Sequence, residues 1–404
     1  MRIKLLLCLS LILMSLNFAS SQIWIKTDSL PVGIVETIAI NPKNGKILVG
    51  IYGEGVFRSD INGSNWTNAS MGLPDKLVKV IRYNSEGTAF AGLNGTGIFK
   101  STDDGQNWVA SNNGLTNKNV LDVYVSQDGN IYAGTWFYGS VFVSTDKGQQ
   151  WTDLKLDNKD VHSVIKAKDG SILAGTEYNG LYKTNDNGKN WKSVGFSTNN
   201  IYDMVVDDNG KLYLCAKDGF YVSNDNGENW TSQNNGIGTT VIRAITISKA
   251  KSIFAGTSAG VYRSIDYGQN WKEYSDGLDI QNKNIFSLNS GIDDIIYAGT
   301  ANGVYKTQIA DSYDELNSNN FRLIISPIPF NNSVKFKLTI ENSGTYTLII
   351  YDIFGRKIDN LFDGYLSVGT HQFEWQPQNL SFGSYFFRII NNNQSTQGKL
   401  LYMP

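Results

Sequence analysis

The sequence predicts an all-β chain, and three observations carry that expectation. Its 404 residues include 40 glycines but only 7 prolines, so turns are dense. The 21 tyrosines, 19 phenylalanines and 9 tryptophans favour strands over helices. Short alternating runs rich in β-branched residues, such as VLDVYVS and VKFKLTI, recur between Gly and Asn turns along the chain. At ~150 residues per domain the length predicts two or three domains, or one filled by repeats.

Composition also excludes function classes. Thirty-five basic against 37 acidic residues leave a formal charge of -2, so no basic field exists to attract a nucleic-acid backbone. The cysteines are Cys8 and Cys215 and the histidines His162 and His371. With Cys8 in a leader, the mature chain is expected to have no internal disulfide, no Cys/His metal cluster and no cofactor, and Cys215 reads as a buried apolar residue. Two distant histidines give poor support to a catalytic triad.

The elements follow in chain order. Arg2 and Lys4 precede the apolar run Leu5 to Leu16, and Ala19, Ser20 and Ser21 supply small residues before Gln22. This is the tripartite pattern of a secretory signal, residues 1–21, with cleavage near Ser21 and export by the Sec route. The run is shorter than the ~20 residues of a membrane span, and no transmembrane segment is expected in the mature chain.

Residues 22–309 are a repeat. STDDGQNW, STDKGQQW, TNDNGKNW, SNDNGENW and SIDYGQNW end in Trp108, Trp151, Trp191, Trp230 and Trp271, and Trp66 and Trp24 extend the series. Spacings of 42, 42, 43, 40, 39 and 41 residues fit one four-stranded propeller blade each. The AGT-like second strand occurs seven times, at Gly50, Gly92, Gly134, Gly175, Ala216, Gly256 and Gly299. The seventh unit lacks its outer strand, whereas Ile23 to Lys26 carry an outer-strand tryptophan without the strands before it. The two ends should therefore pair and close a seven-bladed ring, protecting both edges.

The boxes resemble the Asp-box (BNR-like) repeat, Ser/Thr-x-Asp-x-Gly-x-x-Trp, of sialidases, sortilin-type receptors, family 74 glucanases and photosystem II assembly factors. The matching positions are Ser101, Asp103, Gly105 and Trp108; Ser144, Asp146, Gly148 and Trp151; Thr184, Asp186, Gly188 and Trp191; Ser223, Asp225, Gly227 and Trp230; Ser264, Asp266, Gly268 and Trp271. In the first box Ile61 stands where the acid belongs and Asp60 comes one place early. The resemblance implies that the box is a structural turn whose acid and hydroxyl bind local backbone groups.

Residues 310–320 read as a polar linker and 321–404 as a small Ig-like sandwich of seven short strands. SPIPFNN, GTYTLIIYDIFGRKI, GYLSVGTHQFEW, LSFGSYFFRI and KLLYM resemble the type A C-terminal sorting domain of the bacterial type IX secretion system, with Ile328 in place of the usual Asn. That resemblance implies the type IX machinery as a partner and the outer cell surface or the medium as the destination.

Aligned first strands put Thr37, Lys79, Asp122, Ser163, Asp203, Arg243 and Ser287 at one position facing the central channel, with Lys79 beside Asp122 and Asp203 beside Arg243 as mutually satisfied ions. Loops between second and third strands bring Tyr52, Trp136, Phe137, Tyr138 and Tyr178 to one rim, with Glu54 and Glu177. Aromatics with carboxylates suit sugar or peptide stacking, and carboxylates favour neutral glycans over acidic ones. Three readings follow: a binding module for glycan, peptide or envelope protein; a glycoside hydrolase using Glu54 and Glu177, which needs two carboxyls ~5–10 Å apart; and an assembly factor similar to the photosystem II type.

Overall fold

The computed structural model describes residues 23–27, 30–238, 241–307, 316–318, 321–326, 330, 332–378, 380–381, 383–391 and 394–402. The segment expected to be a leader and most of the expected linker lie outside them. Regular structure among the described residues is entirely strand apart from one 3-10 turn, Ile280–Asn282.

Seven antiparallel four-stranded sheets form the propeller blades. Their innermost strands are Val35–Ile40, Val78–Tyr83, Val120–Val125, Val161–Lys166, Ile201–Val206, Ile242–Ile247 and Ser287–Ser290. The second strands, such as Ile131–Thr135, are buried at every residue in all seven blades. Neighbouring blades cover both of their faces, so these strands read as continuous apolar runs.

Each second strand carries a small residue where the next blade presses closest. A Cβ on Gly134 would lie 2.8 Å from Val161, and one on Gly175 would lie 2.4 Å from Ile201. In blade 5 the residue opposite Asp203 is Cys215, as Gly134 is opposite Asp122. The equivalent residue is therefore Cys215 and not Ala216. A thiol is the bulkiest group in this seam, and complete burial pushes it well above its ordinary pKa, which keeps it a neutral packing group.

Blade 7 consists of Ser287–Ser290, Ile296–Thr300 and Gly303–Thr307, completed by Trp24–Lys26. Trp24 pairs with Thr307, Ile25 with Lys306 and Lys26 with Tyr305. The fully buried Trp24 indole donates to the Tyr274 carbonyl of blade 6 at 2.6 Å. Closure is thus a strand pairing and an inter-blade anchor together.

The C-terminal sandwich has one sheet of Leu316–Ser318, Phe321–Ser326, Val334–Ile340 and Gly369–Trp375. The other holds Lys357–Leu366, Gly344–Tyr351, Gly383–Asn391 and Gln394–Tyr402. Leu316–Ser318, read from sequence as linker, pairs with Phe321–Leu323 as an edge strand. Val334–Ile340 alternates buried with exposed residues. Its inner face meets Phe387, Ile389 and Trp375 in a core separate from the blades.

Candidate functional site

Six innermost strands share a β-bulge near their start, where the register skips between Val35 and Thr37, Val78 and Val80, Val120 and Asp122, Val161 and Ser163, Ile201 and Asp203, and Ile242 and Ala244. A bulge sets two residues against one and re-aims the extra side chain. The extra residues are Glu36, Lys79, Leu121, His162, Tyr202 and Arg243. With Phe286 of blade 7 they line a cavity of about 110 Å³ at the channel mouth.

This register corrects the sequence alignment at two positions. Val80 and Ala244 lie opposite Gly92 and Gly256, as Thr37 lies opposite Gly50. Lys79 and Arg243 stand one residue earlier, in the bulge. Strict period-two counting cannot register an inserted residue.

Four residues of the inner ring are struts between blades. Thr37 Oγ1 accepts from the Ile81 N–H at 3.0 Å, Asp122 Oδ2 from Val164 at 2.9 Å and Asp203 Oδ2 from Ile245 at 3.0 Å, while Ser287 Oγ donates to the Val35 carbonyl at 3.0 Å. Ser163 is buried at the same level. The ion couples expected from sequence are replaced by others. Lys79 Nζ lies 2.8 Å from Glu36 Oε1, and Arg82, which sequence reading did not place in the channel, lies 3.9 Å from Asp122. Burial pushes the Asp203 carboxyl up to about 7 against the opposing pull of Arg82 and the Ile245 N–H. Asp122 is raised too, again by burial.

Arg243 differs from the other cations at the mouth. Its Nη1 donates to the neutral Asn284 Oδ1 at 2.6 Å, and its guanidinium carbon lies 5.7 Å from the Phe286 ring centre. Among the described residues no carboxylate pairs with it.

The rim is continuous with the mouth. The Tyr52 ring lies over Lys79 Nζ at 4.9 Å, and Glu177 Oε2 is 3.4 Å from His162 Nε2. In blade 3, Trp136, Phe137 and Tyr138 form consecutive edge-to-face contacts with centroids 6.1 and 5.1 Å apart. Phe137 and Tyr138 are 62% and 76% exposed, and Tyr178 is 64% exposed. All three have φ near +58°, a region bulky residues rarely enter. The Asn117 amide holds this loop by donating to the Trp136 and Phe137 carbonyls at 3.0 and 3.2 Å. Asn200 Oδ1 accepts from the Tyr178 N–H at 3.1 Å. Glu54 and Glu177 stand on the loops of separate blades, 1 and 4.

The Ser/Thr-x-Asp-x-Gly-x-x-Trp turns lie at the opposite end of the blades. Ser101 Oγ accepts from the Gly105 N–H at 2.9 Å, Asp103 Oδ1 accepts from the Asn107 N–H at 2.9 Å, and Trp108 Nε1 donates to the Ala69 carbonyl of the preceding blade at 2.8 Å. Trp151, Trp191 and Trp271 repeat that reach across blades. Trp230 instead donates within its own turn, to Gly227. In the first turn Asp60 accepts from the Asn62 and Ser64 N–H groups, so the early acid serves a similar turn by another route. A feature absent from the sequence reading is a cavity of about 350 Å³ at this end, between hairpins of blades 3 to 5, lined by residues including Tyr124, Asp128, Lys166 and Asp207.

Comparisons with known proteins agree with this architecture. Residues 175–309 match the DUF6242 beta propeller domain, and residues 324–403 match the secretion system C-terminal sorting domain. No curated protein matches the chain. Among solved structures, the extracellular domain of the putative hybrid two component system BT3049 from B. thetaiotaomicron superposes with a TM-score of 0.61 at 17% identity, over 95% of this chain and 58% of that one. YCF48 bound to D1 peptide gives a TM-score of 0.60 at 15% identity, over 72% and 98%. The Niastella koreensis GH74 enzyme gives 0.57 at 15%, over 79% and 59%. Likeness at this identity is likeness of fold. The chain joins a seven-bladed β-propeller to a secretion-system C-terminal sorting domain.

Proposed function

We propose that this protein is an exported binding module, directed to the Sec route by residues 1–21 and to the outer surface or medium by its type IX sorting domain, with a saccharide as ligand on the rim of blades 1, 3 and 4. The observation that carries the reading is the loop Trp136-Phe137-Tyr138. Phe137 and Tyr138 are held toward solvent on a strained backbone beside the partly exposed Trp136, in a loop fastened by Asn117. Strain kept at a surface loop points to a role in recognition. Exposed rings stack on the apolar faces of sugar rings, and the carboxylates and hydroxyls beside them accept sugar hydroxyls. Glu54 and Glu177 on separate blades, with Glu177 engaged by His162, suit ligand contacts better than a paired acid and nucleophile.

The test is binding of the full-length protein to an oligosaccharide panel, with product analysis of each hit. Trp136→Ala is expected to weaken binding by about 1–3 kcal/mol with little change in melting temperature. Unchanged binding would remove the rim from the site. Loss of turnover in Glu177→Gln with retained affinity would make the protein a glycoside hydrolase instead.

A further inference from the structure

Arg243 is the one cation at the channel mouth whose charge the protein leaves unanswered among the described residues. Glu36 pairs with Lys79 and Glu177 faces His162. Asp122 lies near Arg82. Asp203, in the neighbouring blade and one position past the bulge, turns its carboxylate onto the N–H groups of Met204 and Ile245. A guanidinium has five donors, and only one hydrogen bond of Arg243 to a protein side chain is present. That contact with Asn284, together with the Phe286 ring, fixes the fork without neutralising it. Half-buried, such a group favours an anionic partner, and its planar fork matches a carboxylate.

We infer that Arg243 at the channel mouth is a receptor for the carboxylate of an acidic saccharide, such as a uronate, whose chain extends across the mouth toward the aromatic rim of blades 1, 3 and 4. This deepens the saccharide reading and rests on it. It departs from the neutral-glycan preference expected from Glu54 and Glu177, because Arg243 offers a cation with no carboxylate partner among the described residues and Glu177 is engaged by His162. The cavity of about 110 Å³ at the mouth has room for a carboxylate beside the guanidinium. Tyr202 of blade 5 lines the same mouth as Arg243, and the Tyr52 ring covers Lys79.

The experiment is calorimetric titration of the full-length protein with trigalacturonate and with its methyl ester. The acid is expected to bind at least about tenfold more tightly, as a charge-assisted hydrogen-bonded pair would give, and more weakly as salt rises. Arg243→Gln should bring the acid down to the affinity of the ester, and Arg243→Lys should restore part of the difference. Equal affinities of acid and ester for the unmodified protein would overturn the inference without recourse to a variant, and leave the saccharide reading standing. An acid preference that survives in a folded Arg243→Gln protein would overturn it as well. Binding of neither compound, with Arg243-dependent binding of a peptide bearing a free C-terminal carboxylate, would overturn the saccharide assignment and the reading beneath it.

Discussion

Trp151 and Asp146 belong to one turn yet do different physical work. The Trp151 indole is almost fully buried between Phe90, Ile98 and Phe142 of neighbouring blades, and it donates to the Ser111 carbonyl at 2.8 Å. Trp151→Ala should cost about 3–5 kcal/mol by cavity formation, read as a lower midpoint in urea. Asp146 accepts from the Gln149 and Gln150 N–H groups at the surface, where water can replace the lost acceptor. Asp146→Ala should shift the midpoint far less and leave ligand binding intact. Asp203 gives a pH signature. Its folded pKa of about 7 lies above the ordinary carboxylate value of 3.8, so between these values the native state holds the proton more tightly than the unfolded chain. Its contribution is most favourable below pH ~4 and declines as pH rises toward 7. Asp203→Asn keeps an acceptor for the Ile245 N–H and should flatten this part of the stability–pH curve. An unchanged slope would show that Asp203 is not the group responsible.

At the scale of elements, the bulge and the closing strand decide what the blades can do. The bulge turns Arg243, His162 and Lys79 into the mouth, while the next residue, Thr37 or Asp122 in its own blade, ties the adjoining blade. One irregularity thereby separates positions lining the mouth from positions that tie the blades. The closing strand is equally specific. Gly277, at φ +96°, sits where a Cβ would come 2.2 Å from the Trp24 carbonyl oxygen, so the chain after blade 6 is shaped to receive the N-terminal strand. Deleting residues 22–30 should expose the Gly303–Thr307 edge and destabilise the whole ring. Light scattering and a thermal melt check this. A monomeric species with the original melting temperature would mean that closure does not depend on the strand.

For the whole molecule, the two β units have separate cores. The sandwich core of Phe336, Trp375 and Phe387 shares no residue with the blade cores, so removing residues 321–404 should leave a folded propeller. In a host with type IX machinery that truncated protein should remain in the periplasm, as fractionation would reveal. Its arrival in the medium would remove the sorting role from the C-terminal unit.

The sequence alone determined the all-β class, the number of blades, the pairing of Trp24–Lys26 with the last blade and the sandwich that follows. Each is written in a local pattern: a period near 41 residues, strand alternation, a box that closes its own turn. It also placed the aromatics on the loops between second and third strands, because loop position follows from strand order. Only the tertiary structure decided which residues meet at the mouth. A bulge leaves no local signature, so Lys79 and Arg243 stand one residue from the ring position that alternation predicts, and strand pairing puts Cys215 rather than Ala216 opposite that ring in blade 5. The partners of the charged groups were equally hidden, since Glu36 with Lys79, Arg82 with Asp122 and Arg243 with Asn284 depend on how blades lean together. Ion pairing is set by distances of a few ångströms across separate segments, and those distances exist only once the ring has closed.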